Sequence, residues 1–141
     1  MRKIGLDVGD KTIGVAVSDL LNITAQGVTT IERVGIRKDA GKVIDFIKEY
    51  ECDTVVIGLP LNLDGSDSIQ TEKVREFRTM LENKMRSTGI KGVSFVWQDE
   101  RFTTKMAEQV LIDADVKRNK RKSVIDKQAA VIILSSYLET L

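Results

Sequence analysis

The chain has 141 residues, 42% hydrophobic and 30% charged, with a net charge of +1, which suits one compact domain spanning 1–141 with a core of its own. Its single cysteine, Cys52, and its lack of histidine exclude an internal disulfide and Ser-His or Cys-His nucleophilic sites, and leave only oxygen ligands for a metal, which points to Mg²⁺ or Mn²⁺. The longest apolar run, residues 129–134, is far too short to span a bilayer, and the N-terminus has no signal-peptide layout, so a cytoplasmic location without membrane contact is expected.

Residues 2–8 read as a strand, with Ile4, Leu6 and Val8 alternating with Lys3, Gly5 and Asp7. Gly9-Asp10 marks a turn. Residues 12–18 read as a second strand, apolar at Ile13, Val15 and Val17 and small at Gly14, Ala16 and Ser18. A third strand is expected within 24–33, completing a meander. Residues 38–50 show helical spacing at Ala40, Val43, Ile44 and Ile47. A buried strand over 53–58 stops at Pro60. A long helix is expected over 67–86, a fifth strand over 92–97, a short helix over 104–114, and a last helix over 124–140 started by Ser123. Strands separated by helices lie parallel. The expected fold class is therefore α/β, a mixed sheet with helices on its faces.

Three positions carry acids where chemistry could use them. Asp7 lies in an apolar strand, on the face opposite Ile4 and Leu6 and beside small residues. An unpaired buried carboxylate costs roughly several kcal/mol, so a cation or water must offset it. Asp99 and Glu100 follow the fifth strand, where α/β sheets bind ligands; periodicity does not choose between them. Asp126 falls near the expected start of the last helix, where an acid also serves as an ordinary cap. Six Lys/Arg lie between Lys117 and Lys127 with one acid, Asp126. Such a run attracts polyanions, although it also suits a solvated loop. Gly65 and Ser66 precede the long helix, where free amides could take a phosphate or a serine could simply cap the helix. Together the acids suit two-metal phosphodiester hydrolysis, in which carboxylates hold two ions about 3.5–4 Å apart. Asp7 is the natural bridging ligand.

Four motifs then resemble one family across essentially the whole chain. They are Gly5-Leu6-Asp7-Val8-Gly9 with Ile13-Gly14-Val15-Ala16-Val17-Ser18-Asp19, Gly58-Leu59-Pro60-Leu61-Asn62 with Gly65, Asp99-Glu100-Arg101-Phe102-Thr103-Thr104, and Val124-Ile125-Asp126-Lys127-Gln128-Ala129-Ala130. The third has Phe where the family usually has Leu. The family is YqgF, also called RuvX, ribonuclease-H-like bacterial proteins described as Holliday junction resolvases and as pre-16S ribosomal RNA nucleases. The resemblance implies a ribonuclease-H-like fold with strand order 3-2-1-4-5. It also implies a metal-ligating and catalytic triad of Asp7, Glu100 and Asp126, with two Mg²⁺ or Mn²⁺ ions as cofactors. Candidate contacts to nucleic acid are Lys11, Asn62, Arg101, Lys120, Arg121, Lys122 and Lys127. The expected function is 5'-end maturation of pre-16S ribosomal RNA. The alternatives are a resolvase of branched DNA, which must be two-fold symmetric to cut two strands, and a non-catalytic nucleic-acid-binding module. The expected assembly is a monomer or weak homodimer. An actin-like ATPase shares a similar opening hairpin but needs a second domain.

Overall fold

The structure is a computed structural model that describes residues 1–99 and 118–141, with side chains in the second stretch from residue 128 onward. Its elements run in the order β1 (Arg2–Val8), β2 (Thr12–Ser18), β3 (Ala25–Glu32), α1 (Ile36–Glu49), β4 (Cys52–Leu59), α2 (Ile69–Ser87), β5 (Ser94–Asp99) and α3 (Arg118–Leu138). The sheet has the order β3-β2-β1-β4-β5, the order expected from the family resemblance. Each of β1 and β3 pairs antiparallel with β2, while β4 lies parallel to both β1 and β5.

Alternation along the strands divides the core in two. Ile4, Leu6, Val8, Ile13, Val15, Val55 and Ile57 pack with Val43, Ile47, Val74, Phe77 and Leu81 beneath α1 and α2. On the opposite face, Ala16 and Val56 meet Ala130, Ile133, Leu134 and Leu138 of α3. The small residues of β1 and β2 permit this close approach. A Cβ on Gly5 would stand 2.7 Å from Leu134 Cβ and 3.1 Å from the Ala130 carbonyl oxygen. Only a residue without a side chain fits there.

Several boundaries differ from the periodicity reading. Helix α1 starts at Ile36 rather than 38, because the Asp39 carboxylate reaches back to accept from the Val34 amide at 3.0 Å and closes the helix entry. Helix α2 starts at Ile69, with Ser68 as its cap: Ser68 Oγ accepts from the Thr71 amide at 3.1 Å, and Thr71 Oγ1 accepts from the Ser68 amide at 2.9 Å. Strand β5 runs over 94–99 rather than 92–97. Gly92 adopts φ of 77°, which ends the preceding turn, and pairing with β4 carries the strand through Gln98 and Asp99. Helix α3 begins at Arg118, so Ser123 lies inside it and does not start it. No Gly or Pro interrupts 118–138, and Lys, Arg and Gln are good helix formers. The helix expected over 104–114 lies outside the described residues.

Candidate active site

Asp7 occupies the next-to-last position of β1, opposite Gly14 of β2. On its other side Leu6 pairs with Ile57, and Gly58 follows. Asp7 is therefore half-buried on the α3 face with glycines at its own level on β2 and β4. Neither of these neighbours carries a side chain beside it. The Asp7 carboxylate is a hard oxygen donor of the kind Mg²⁺ takes, and among the described residues no group of three or more His, Cys, Asp or Glu gathers where a metal could sit.

The strand register places one of the two acids that periodicity left open. Val96 pairs with Val56, and both belong to the α3 face, whereas Phe95 and Trp97 belong to the α1–α2 face. By alternation Gln98 shares the face of Asp7, and Asp99, paired with Leu59, lies on the other. Asp99 is thus not on the Asp7 side of the sheet. Glu100 and Arg101 lie outside the described residues.

Asp126 is carried by α3, one helical turn before Ala130 and well inside the helix. It is therefore no first-turn cap, and the ordinary capping explanation for an acid there falls away. Lys120, Arg121 and Lys122 belong to the opening turns of the same helix rather than to a loop before it, and Lys127 follows Asp126. The side chains of these five residues lie outside the described ones.

The turn after Asp7 is tied down by three side chains that sequence reading missed. Arg33, just past β3, donates from Nη1 to the Gly9 carbonyl at 2.9 Å and from Nε to Asp39 Oδ2 at 3.0 Å. Its guanidinium lies over the Phe77 ring, 5.4 Å from the centroid. Gln70 of α2 donates to the Val8 carbonyl at 3.2 Å, and Lys73 pairs with Asp10 at 3.2 Å. The turn closes on itself through the Gly9 amide, which donates to the Thr12 carbonyl at 2.8 Å. The Asp39 side chain is fully buried. Burial pushes its carboxyl up, but the Val34 amide and the Arg33 guanidinium outweigh this and hold it below the usual carboxylate value. Lys11 is exposed on the turn, and its carbonyl accepts from the Arg33 amide at 2.9 Å.

The loop from Pro60 to Ser68 is bonded within itself. The Asn62 side-chain amide donates to Ser66 Oγ at 3.1 Å and to the Asp67 carbonyl at 3.3 Å. Asp64 accepts from the Ser66 amide at 2.9 Å. The Ser66 amide is therefore already used, and the helix cap is Ser68. The alternative of a plain turn with a serine cap describes this loop, with the cap two residues later than Ser66.

Known proteins are similar to this chain over nearly its whole length. The chain is 50% identical over 138 residues to a protein of Clostridioides difficile (strain 630) named "Putative pre-16S rRNA nuclease", covering 98% of this chain and 94% of that one. It is 49% identical over 142 residues to a protein of Listeria innocua with the same name, covering 99% of each. Among solved structures, Thermus thermophilus RuvC bound to a Holliday junction superimposes with a TM-score of 0.62 at 14% identity, covering 99% of this chain and 96% of that one. The Fowlpox virus resolvase with Holliday junction DNA gives 0.63 at 13%, covering 99% and 98%. At such identities these two show the fold alone, which is ribonuclease-H-like. The family model RuvX, described as "Holliday junction resolvase", matches residues 1–140. A whole-length match to that model, with relatives near half identity, means that this chain belongs to the RuvX (YqgF) family.

Proposed function

We propose that this chain is a metal-dependent nuclease that hydrolyses phosphodiester bonds of structured nucleic acid, with precursor 16S ribosomal RNA as its substrate. The observation that supports this most directly is Asp7, a half-buried carboxylate at the end of the central strand with glycines on both sides. The relatives at about half identity, named for pre-16S rRNA, favour RNA over branched DNA.

In this reading Asp7, Glu100 and Asp126 hold one or two Mg²⁺ ions. Such ions, when bound, activate water and stabilise the leaving oxygen. The acids concentrate negative charge that repels a phosphate until it is neutralised. Lys120, Arg121, Lys122 and Lys127, with Lys11, Asn62 and Arg101, hold the backbone without reading bases.

The test is incubation of purified protein with precursor 16S RNA and with four-way DNA junctions, in Mg²⁺, Mn²⁺ and EDTA. Metal-dependent cutting of the RNA is expected. Symmetric cutting of the junction alone would make it a resolvase, and binding without cutting a non-catalytic module. Mg²⁺ should also raise the melting temperature by linkage, and Asp7→Asn should lose most of that gain. An equal gain in both proteins would remove Asp7 from the metal site.

A further inference from the structure

Arg33 and Asp39 form a buried ion pair whose energy alone does not account for it. A buried pair stabilises little more than two apolar side chains of similar volume, because desolvation offsets the attraction. A guanidinium has something apolar groups lack, a rigid fork of donors. Here one arm of the fork takes Asp39 at 3.0 Å and another takes the Gly9 carbonyl at 2.9 Å. Asp39 is anchored in turn by the Val34 amide at 3.0 Å, and Phe77 underlies the guanidinium plane. A buried chain of contacts therefore runs from the first turn of α1 to a carbonyl two residues beyond Asp7.

Gly9 and Val8 need such a hold. Strand β1 ends at Val8, and beyond it the Gly9–Thr12 bond closes the turn from within the hairpin. Gln70 takes the Val8 carbonyl from the α2 side, and Arg33 takes the Gly9 carbonyl from the α1 side. The turn is thus fixed from two helices on the face opposite the Asp7 carboxylate.

We propose that Arg33, held by Asp39, is a positioning residue for Asp7, setting the carboxylate through the Gly9 carbonyl without touching substrate or metal. This rests on the reading of Asp7 as a metal ligand. A misplacement of about 1 Å at a reacting centre costs on the order of 10²-fold in rate, so loss of the clamp acts on catalysis more than on binding.

Two variants test it. Arg33→Lys keeps a cation for Asp39, but a single ammonium cannot reproduce the two-armed contact. The double variant R33M/D39N leaves no unpaired buried charge, and the carboxamide it places at position 39 still accepts from the Val34 amide, so it guards against loss of folding. Three readouts are taken on each: amide hydrogen exchange of Gly9 without metal, the Mg²⁺ concentration giving half the melting-temperature gain, and single-turnover cleavage of precursor 16S RNA. Gly9 exchange should quicken at least about tenfold while Val15 and Val56 amides stay protected. The Mg²⁺ midpoint should rise several-fold. The rate at saturating RNA should fall about 10²-fold with half-saturation unchanged. Unchanged Gly9 exchange, or exchange raised equally across the sheet, would overturn the clamp. So would weaker RNA binding with an unchanged saturated rate. Asp7→Asn separates the two ideas: an unaltered Mg²⁺ response there defeats the metal-site reading, while Gly9 exchange still decides whether Arg33 fixes the turn.

Discussion

Leu134 of α3 rests directly on Gly5 of β1, with its Cβ only 2.7 Å from where a Gly5 Cβ would stand. Gly5→Ala sets two effects against each other. Removing a glycine from a strand gains about 0.5–1 kcal/mol of backbone entropy. Overpacking a filled core costs about 1–3 kcal/mol, and here the obstructing atoms include the Ala130 backbone, which cannot swing aside. The clash wins, so the variant should be less stable by about 1–2 kcal/mol, read as a lower urea midpoint with an unchanged slope. Because α3 also carries Asp126, metal-dependent cleavage should fall with it. A variant as stable as the parent would show that α3 can lift off the sheet at little cost.

Acid stability follows from Asp39. Its folded carboxyl lies below the usual value of 3.8, so the unfolded chain takes up a proton first. The stabilisation is complete above that unfolded value and is lost as pH falls through the lower folded one. Asp53 behaves alike: burial pushes it up, and Lys3 at 2.7 Å outweighs this and brings it down. Asp39→Asn should therefore flatten part of the stability curve below about pH 4 and leave the Asp53 part. Urea unfolding at a series of pH values measures both, and an unaltered acid limb in the variant would deny Asp39 its share.

How much of this was legible in the sequence differs by element. Alternation predicts β1 and β2 to the residue, because Ile4, Leu6 and Val8, and Ile13, Val15 and Val17, alternate cleanly with small or polar neighbours. The sheet order came from the family motifs. The cap-like Ser123 predicts too late a start for α3, although nothing near it breaks a helix. The clamp was missed for another reason. Asp39 falls four residues before Val43, on the core face of α1, and a carboxylate on a core face demands a cation. The cation is Arg33, whose partnership depends on how the chain folds back after β3, and periodicity carries no such information. Periodicity does not choose between Asp99 and Glu100; the family motif implies Glu100, and the β4–β5 register adds only that Asp99 lies on the face away from Asp7.

Cys52 should be inert in the folded protein. It is buried in the core, and burial pushes its thiol up to about 11. Roughly one molecule in a thousand then carries the reactive thiolate at about pH 8. Alkylation by iodoacetamide should track global unfolding and become complete only past the urea midpoint. Rapid labelling without denaturant would contradict the burial.

The basic run at the head of α3 should supply binding and the acids chemistry. Replacing Lys120, Arg121 and Lys122 together with Ala should weaken RNA binding and flatten its salt dependence. The expected loss is about 0.9 units of log–log slope per duplex phosphate contact, or about 0.7 on single strands. The saturated cleavage rate should hold. Asp126→Asn should do the opposite, abolishing cleavage while binding persists. Binding across a salt series with single-turnover cleavage separates these, and an unaltered slope in the triple variant would return the run to a plain helix surface.

The order in which the sheet is laid down carries a consequence for folding. The hairpins joining β1, β2 and β3 are local in sequence, so Asp7 gains its Gly14 neighbour through a short-range closure. Among the described residues, the face that Asp7 shares is covered by α3, which reaches Gly5 from a long way along the chain, and such distant closures are the slow ones. The two faces of the sheet thus differ in reach: α1 and α2 follow their strands closely in sequence, whereas α3 returns to β1 from Arg118 onward.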